Sequence, residues 1–476
     1  MFGFGRALLV ATALAFEPLH PQTPSGCFTS FSKGGRGFSK GLQSPHSRPY
    51  TQAMSSTTTF WQDVLSKGFR HLAEEMTLPQ VQELFNDYST HNYKPLPVNL
   101  MRGDGIRVWD EKGNEYLDFI GTYSATAHGH LNPTIVQALK DQLDSIAVTS
   151  RAFYSAEVGL FCKALADYCG LDMVCPMNSG AEAVETCIKL ARKWAYTVKG
   201  VPTDKAEIIV FQDNFHGRTT TIVGFSTEPG YKAGFGPFTP GFKVVPFGDI
   251  EAVKAAITPN TAAILGEPIQ AEGGIIIPLD GFLAQLREVC TANNVLLIWD
   301  EVQTGFCRTG KRFAWQYEDA KPDLLAVGKA LGGGLLPVSA AVGTRAVMDM
   351  FKPGDHGSTF GGNPLAAAVA ITALAVMEME DYADKSLRMG ELFMAMLRAL
   401  PFEQIVDVRG RGLLIGFEVD DSLDTKALSG NLTKNGILTK ETRNKTFRLT
   451  PPLTINASVV EDAVARIDRA FRATIG

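Results

Sequence analysis

From Met173 onward, six short apolar runs (MVCPMN, EIIVF, AAILGEP, VLLIWDE, DLLAVGK and SAAVG) alternate with helical stretches. No other feature narrows the choice of fold as far. Runs this short and rich in Val, Leu and Ile suit strands buried on both faces. Strand–helix alternation then implies a largely parallel sheet with helices packed on either side. The stretch 281–293 supplies such a cover, with Phe282, Leu286, Val289 and Cys290 on one face. In open α/β sheets, ligands sit beyond the carboxyl ends of the strands. Two of the runs end there beside an ionisable residue: Val295–Trp299 at Asp300, and Leu324–Val327 just before Lys329.

A lysine pressed into an apolar pocket tends to lose its proton, and the neutral amine can form a Schiff base with an aldehyde. A carboxylate lodged beside it needs a cationic partner. The protonated ring nitrogen of pyridoxal phosphate supplies one, so Asp300 and Lys329 read as the two ends of one cofactor site. The plainer reading makes Asp300 a helix cap and Lys329 a solvated surface residue. Gly332, Gly333 and Gly334 do not make a nucleotide-phosphate loop. That motif wants Gly-Lys-Ser/Thr closing a longer Gly-rich loop, and here Ala330 follows Lys329.

Two more stretches place polar groups after strands. Asn178-Ser179-Gly180-Ala181-Glu182 opens a helix over 181–197. Ser179 with Glu182 three residues on is a capping box, and Gly180 lets free N–H groups approach a phosphate. The stretch 211–218 carries an aromatic that could stack on a flat ring and Arg218, which could grip a carboxylate bidentately. The competing readings are a simple cap, a core Phe and a surface Arg. His216 reads as a hydrogen-bonded packing residue rather than a base, because Lys329 already suits the proton transfers.

The rest of the chain is framed by simpler patterns. Residues 60–88 are helical in period, with Trp61, Val64, Leu65, Val81, Leu84 and Phe85 on one face. Residues 105–120 alternate about Glu111-Lys112-Gly113-Asn114 as a β-hairpin. Asn132-Pro133 starts a helix striped by Ile135, Val136, Leu139, Leu143 and Ile146. A long apolar helix is expected over 364–379, a strand over 411–419 and an amphipathic helix over 459–471. The net charge of −5 leaves no basic footprint for nucleic acid. The longest apolar run, Leu365–Met377, is broken by Thr372 and suits a buried helix rather than a membrane span. Seven cysteines without C-x-x-C spacing argue for reduced thiols and against a structural zinc site, and no metal is expected.

Residues 1–53 hold five basic residues and one acidic residue, Glu17, among many Ser, Gly and Pro. That composition belongs to an organelle transit peptide, with the mitochondrial matrix favoured. The apolar run Ala7–Phe16 with Ala13-Leu14-Ala15 also resembles a signal segment, which would make the leader a two-part plastid address. The plainest alternative is a disordered tail with translation starting at Met54 and a cytoplasmic protein.

EPIQAEGG, WDEVQTGFCRTG, GKALGGGLLPVSA, GSTFGGNP and RGRGLLIG, in that order and spacing, resemble the class III aminotransferases. The resemblance runs from about Asn92 to the C-terminus. It implies the pyridoxal-phosphate fold type I, with a large domain built on a mostly parallel seven-stranded sheet and a smaller α+β C-terminal domain. The expected divisions are a leader over 1–55, an N-terminal helix and hairpin over 56–122, the cofactor-binding domain over 123–380 and the small domain over 381–476. HNYKPLPV, TYSATAHGH, TSRAFYS, LARKWAYTVKG and FRLTPPL are similar to segments of the ornithine-using branch.

The resemblance also implies roles. Lys329 would bond the cofactor aldehyde and Asp300 would keep the pyridine nitrogen protonated. Gln303 would bond the ring hydroxyl, with Val302 and Phe215 on opposite ring faces. Ser179, Gly180 and Ala181 would bind the phosphate, joined by Thr359 from the partner subunit of a homodimer. Arg218 and Tyr93 would hold the α-carboxylate and α-amino group of ornithine, with Tyr123 nearby. Glu272 would mask Arg448 until glutamate or 2-oxoglutarate arrives, when Arg448 would take the α-carboxylate. The implied reaction is ping-pong transfer of the δ-amino group to 2-oxoglutarate, giving glutamate and glutamate 5-semialdehyde, which cyclises to pyrroline-5-carboxylate.

Two departures bear on substrate choice: His216 stands where a bulkier aromatic is expected, and Ala271 where a glycine is. Rival readings are an acetylornithine or 4-aminobutyrate aminotransferase, which Tyr93 disfavours, and an aminomutase, which needs no 2-oxoglutarate. A nicotinamide-dependent dehydrogenase predicts G-x-G-x-x-G after the first strand, and Met177–Glu182 lacks it. A non-catalytic protein would not require a lysine and a carboxylate at buried strand ends.

Overall fold

The structure is a computed structural model that describes residues 57–443 and 445–476; the expected leader lies outside the described residues. The chain divides into two units, Met1–Phe69 and Arg70–Gly476. In the first, the described part is the helix Thr57–Lys67 followed by Gly68 and Phe69. The continuous helical pattern expected over 60–88 is three helices, Thr57–Lys67, Phe69–Glu74 and Leu78–Tyr88. The last begins afresh because Gln80 Oε1 accepts from the Thr77 amide at 2.9 Å and Pro79 sits in its first turn. Period alone could not reveal either break.

Within the second unit, strands β1 (Leu100–Asp104), β2 (Arg107–Asp110) and β3 (Glu115–Asp118) form an antiparallel meander. Its turn is held by Asp110, whose carboxylate accepts from the Lys112 and Asn114 amides. The large sheet comprises β4 (Met173–Met177), β5 (Glu207–Phe211), β6 (Phe242–Val245), β7 (Thr261–Gly266), β8 (Leu296–Asp300), β9 (Leu324–Val327) and β10 (Ser339–Gly343). Their order is β4-β10-β9-β8-β7-β5-β6. β10 runs antiparallel to both neighbours, and the remaining pairs of the sheet are parallel. The mostly parallel seven-stranded sheet is as expected. Its one strand not read individually from the sequence is β6, a short edge whose Val244 is exposed.

Alternate residues of each strand point to opposite faces, and both faces are buried. Ile209, Phe211, Ile264, Leu297, Trp299 and Leu325 enter one core. Ile208, Val210, Leu265, Ile298 and Leu324 enter the other, against Val184, Cys187, Ile188 and Leu190 of the helix Gly180–Trp194. Each fully buried Val, Leu or Ile contributes roughly 1.5–3 kcal/mol, so the sheet is a rigid floor for whatever stands at its strand ends. The helix Pro364–Met379 is buried on most of its surface, as its unbroken apolar run requires.

Beyond it, β11 (Ile405–Arg411), β12 (Leu414–Val419), β14 (Lys440–Thr442) and β15 (Thr446–Leu449) form a third, antiparallel sheet in the order β11-β12-β15-β14. Strand β13 (Ile437–Leu438) instead pairs in parallel with β3. The last helix, Ala457–Ile475, buries Val460, Val464, Ile467 and Phe471. This α+β region carries Arg448 toward the strand ends of the large sheet.

Candidate active site

Five strands of the large sheet, β4, β5, β7, β8 and β9, end on one edge, and the residues at or just after those ends come together. Asp300 closes β8. Its Oδ1 accepts from the Val302 amide at 3.0 Å, and its Oδ2 lies 2.7 Å from His216 Nδ1. Both residues are buried. Burial pulls the His216 imidazole down, but the hydrogen bond and charge of Asp300 outweigh it and leave the pKa raised. Lys329 follows β9 after Gly328, and its backbone is left-handed at φ +45°. A side chain rarely tolerates that conformation, and such strain collects where geometry matters for chemistry. Lys329 is half-buried, and its Nζ donates to Gln303 Oε1 at 2.9 Å. Desolvation lowers the amine to about 8, against the raising influence of Glu272 and Asp300.

The helix Gly180–Trp194 begins where β4 ends. Ser179 Oγ accepts from the Glu182 amide at 3.3 Å, and Glu182 Oε2 accepts from the Ser179 amide at 2.8 Å, so the capping box forms. Of the three residues read as a phosphate site, Ser179 therefore has its amide occupied, while helix geometry leaves the Gly180 and Ala181 amides without intrahelical acceptors. Glycine is required at 180, because a Cβ there would stand 2.7 Å from Val302 Cγ1. The loop after β5 closes in from the other side. A Cβ on Gly217, at φ +123°, would meet Ala181 Cβ at 2.8 Å. These contacts bring Ala181, His216, Val302 and Gly328 around one space.

Glu267, the first residue after β7, escaped notice as a site residue. It is buried, and it accepts from the Phe215 amide at 3.0 Å and the Ala271 amide at 3.3 Å. Desolvation pushes its carboxyl up to about 7; the nearby His216 opposes this and Asp300 adds to it. Its signal was present in the sequence: like Asp300, it is a carboxylate ending an apolar run.

On the substrate side, Arg448 of β15 is buried, with Nη1 2.5 Å from Glu272 Oε1 and its guanidinium 5.2 Å from the Tyr123 ring centroid. Tyr123 lies in a kink with φ +55°. Burial raises its phenol, Arg448 opposes, and Glu272 and Tyr93 add to the rise. Tyr93 is 72 % exposed. Arg218 is exposed, stacks 3.6 Å over Tyr231 and 5.5 Å from Phe215, and makes no ion pair among the described residues. A guanidinium held on an aromatic face with no carboxylate among the described residues is chemically able to receive one. Thr359 is exposed. Its neighbour Ser358 accepts from Asn178 Nδ2 at 3.0 Å, and Thr359 forms no hydrogen bond to the other site residues among those described.

Two buried donors find no partner here: His216 Nε2 and Gln303 Nε2. Orphaned donors are costly to leave so. A flat ring bearing an aldehyde, a basic nitrogen, a hydroxyl and a phosphate would answer Lys329, Asp300, the Gln303 amide and the helix N-terminus in turn. The residues present fit pyridoxal phosphate. Among the described residues no cluster of His, Cys, Asp or Glu could hold a metal ion.

Similarity to known proteins agrees with this geometry. The chain is 50% identical over 394 residues to the ornithine aminotransferase of Brevibacillus brevis, covering 83% of this chain and 98% of that protein. The solved ornithine aminotransferase of Toxoplasma gondii, with partial occupancy of pyridoxal phosphate at its active site, superposes with a TM-score of 0.83 at 42% identity, covering 89% of this chain and 99% of that one. An acetylornithine aminotransferase from Elizabethkingia anophelis superposes at 0.76 with 43% identity, covering 83% and 99%. The family model for aminotransferase class-III matches residues 88–471, and the chain belongs to that family.

Proposed function

We infer that this enzyme is an ornithine δ-aminotransferase using pyridoxal 5′-phosphate and 2-oxoglutarate. The observation that carries this reading is the pairing of Arg448 with Glu272 beside a free Arg218. One carboxylate-binding arginine stands open while the other is masked, which suits a site that takes two amino donors in turn. Arg218 takes the ornithine carboxylate, and the Tyr93 hydroxyl meets the α-amino group, leaving the δ-amine nearest Lys329. Glu272 neutralises Arg448 during this step, since an unpaired desolvated arginine beside a cationic substrate would be costly. When glutamate or 2-oxoglutarate binds, Glu272 swings aside and Arg448 takes the α-carboxylate.

When bound, pyridoxal phosphate supplies the aldehyde that captures the amine and a ring that accepts the electron pair left by the departing proton. Lys329, its basicity lowered by burial, removes that proton from Cδ and returns it to the cofactor side. Asp300, backed by His216, holds negative charge where the ring nitrogen must stay protonated. Gln303 orients the Lys329 amine through its side-chain oxygen.

The purified yellow holoenzyme is expected to bleach on adding ornithine alone. N-acetylornithine and 4-aminobutyrate should react about a hundredfold more slowly, because neither offers the free α-amino group that Tyr93 awaits. Equal rates on ornithine and N-acetylornithine would favour the acetylornithine reading instead.

We further propose a homodimer in which Thr359 completes the partner subunit's phosphate site. Its exposure supports this, as do Phe360, Phe153 and Tyr154, which are large, exposed and linked through the close approach of Gly362 to Arg151. Sedimentation of the holoenzyme as a monomer would end that proposal. The composition of residues 1–53 supports delivery to the mitochondrial matrix, while the matched bacterial proteins are equally compatible with a cytoplasmic enzyme. A fluorescent fusion carrying the leader, imaged against one lacking it, separates the two. Among the described residues no helix is long and apolar enough to cross a membrane.

A further inference from the structure

A cavity of about 380 Å³ opens beside the site, bounded by Asp213, Phe215, Glu228, Tyr231, Glu272 and Arg443. Arg443 lies just beyond β14 with a left-handed backbone at φ +51°. Its guanidinium reaches two carboxylates at once, Asp213 Oδ1 at 2.8 Å and Glu228 Oε2 at 3.1 Å. Asp213 lies two residues before Phe215, and Glu228 three before Tyr231, so the clasp joins the two segments that cradle Arg218. The preceding residue ties the same turn to the masking carboxylate: Thr442 Oγ1 donates to the backbone oxygen of Glu272 at 2.8 Å.

We propose that Arg443 is a specificity-determining residue whose clasp on Asp213 and Glu228 sets the charge of the substrate cavity, so that it accepts a dianionic oxo acid as readily as a cationic amine donor. This rests on the two-substrate reading above. Three carboxylates, Asp213, Glu228 and Glu272, face or border the space, matched by three arginines, 218, 443 and 448. Arg443 alone holds two of those carboxylates. Without it they stand uncompensated on the stretch of chain that carries Arg218, where they attract its guanidinium and repel an incoming carboxylate. Ornithine, a net cation, gains from that change, whereas 2-oxoglutarate, a dianion, loses. The bland alternative is a surface staple of little consequence. The Arg443 side chain is 37 % exposed, so the charge effect should be partly screened by salt, and that screening distinguishes the two readings.

The test uses the holoenzyme, with each half-reaction measured separately at low and high ionic strength. Arg443→Gln is expected to lower kcat/KM for 2-oxoglutarate relative to ornithine by about fivefold at low salt, shrinking toward parity at high salt. Arg443→Lys should retain most of the ratio, and Asp213→Asn should move it the opposite way. Asp213→Asn also provides the answer if Arg443→Gln fails to fold. Equal loss in both half-reactions, or a ratio indifferent to salt, overturns the proposal. An unsubstituted holoenzyme inert toward ornithine overturns the function beneath it, a result that the variants cannot mimic.

Discussion

Replacing Lys329 with alanine is expected to abolish turnover, lowering kcat by about 10⁴-fold or more. Removing a positioned general base alone costs 10²–10⁴-fold, and Lys329 would also lose its covalent hold on the cofactor. No neighbour can stand in. Glu267 and Asp300 are engaged with backbone amides and His216, and Arg448 is bound to Glu272. The folded core should survive, because the hydrogen bond lost is the one to Gln303, and the buried neighbours Val327, Ala330 and Leu331 are unchanged. Thermal melting should therefore stay close to that of the parent protein.

The depressed basicity of Lys329 has its own signature. Below about pH 8 the amine is mostly protonated, and above it mostly neutral. Capture of pyridoxal phosphate by the apoprotein should therefore speed up as pH rises and level off above that value. Alanine at 329 should remove this pH dependence along with the covalent attachment. A variant with ordinary turnover would show that the base lies elsewhere.

Asp300→Asn is expected to lower kcat by about 10²–10³-fold, with smaller effects on KM. The magnitude follows from removing one preorganised charge at the point where charge develops. The substitution is nearly isosteric, so the Val302 amide can keep an acceptor. What disappears is the negative charge that lifts His216 and would hold a ring nitrogen protonated. Both half-reactions should slow together, because both need the same electron sink. A loss confined to one substrate, or smaller than tenfold, would mean that Asp300 serves only to cap Val302.

Much of this site was legible in the chain because its strands end where its chemistry starts. Asp300 and Lys329 stand at the ends of unbroken apolar runs, and a buried charge in that position asks for a partner. Glu267 carries the same mark after β7, but a carboxylate at the end of one apolar run does not by itself distinguish a site residue from a buried cap. Arg443 was invisible for a different reason. It lies in a turn with neither period nor apolar flank, and its carboxylates are some 230 and 215 residues away in the chain. The break of residues 60–88 into three helices was missed because a helical period persists across a cap.

The order of the apolar runs, their period and the polar residues closing them determined by themselves that this chain builds a largely parallel sheet with a lysine and a carboxylate at its carboxyl edge. Burial is a property of a run's composition, so the sequence carries it locally. Only the tertiary structure decided which distant charges meet. It set His216 against Asp300 and Arg443 across Asp213 and Glu228, because electrostatic pairing depends on distances of a few ångströms that spacing along the chain does not encode.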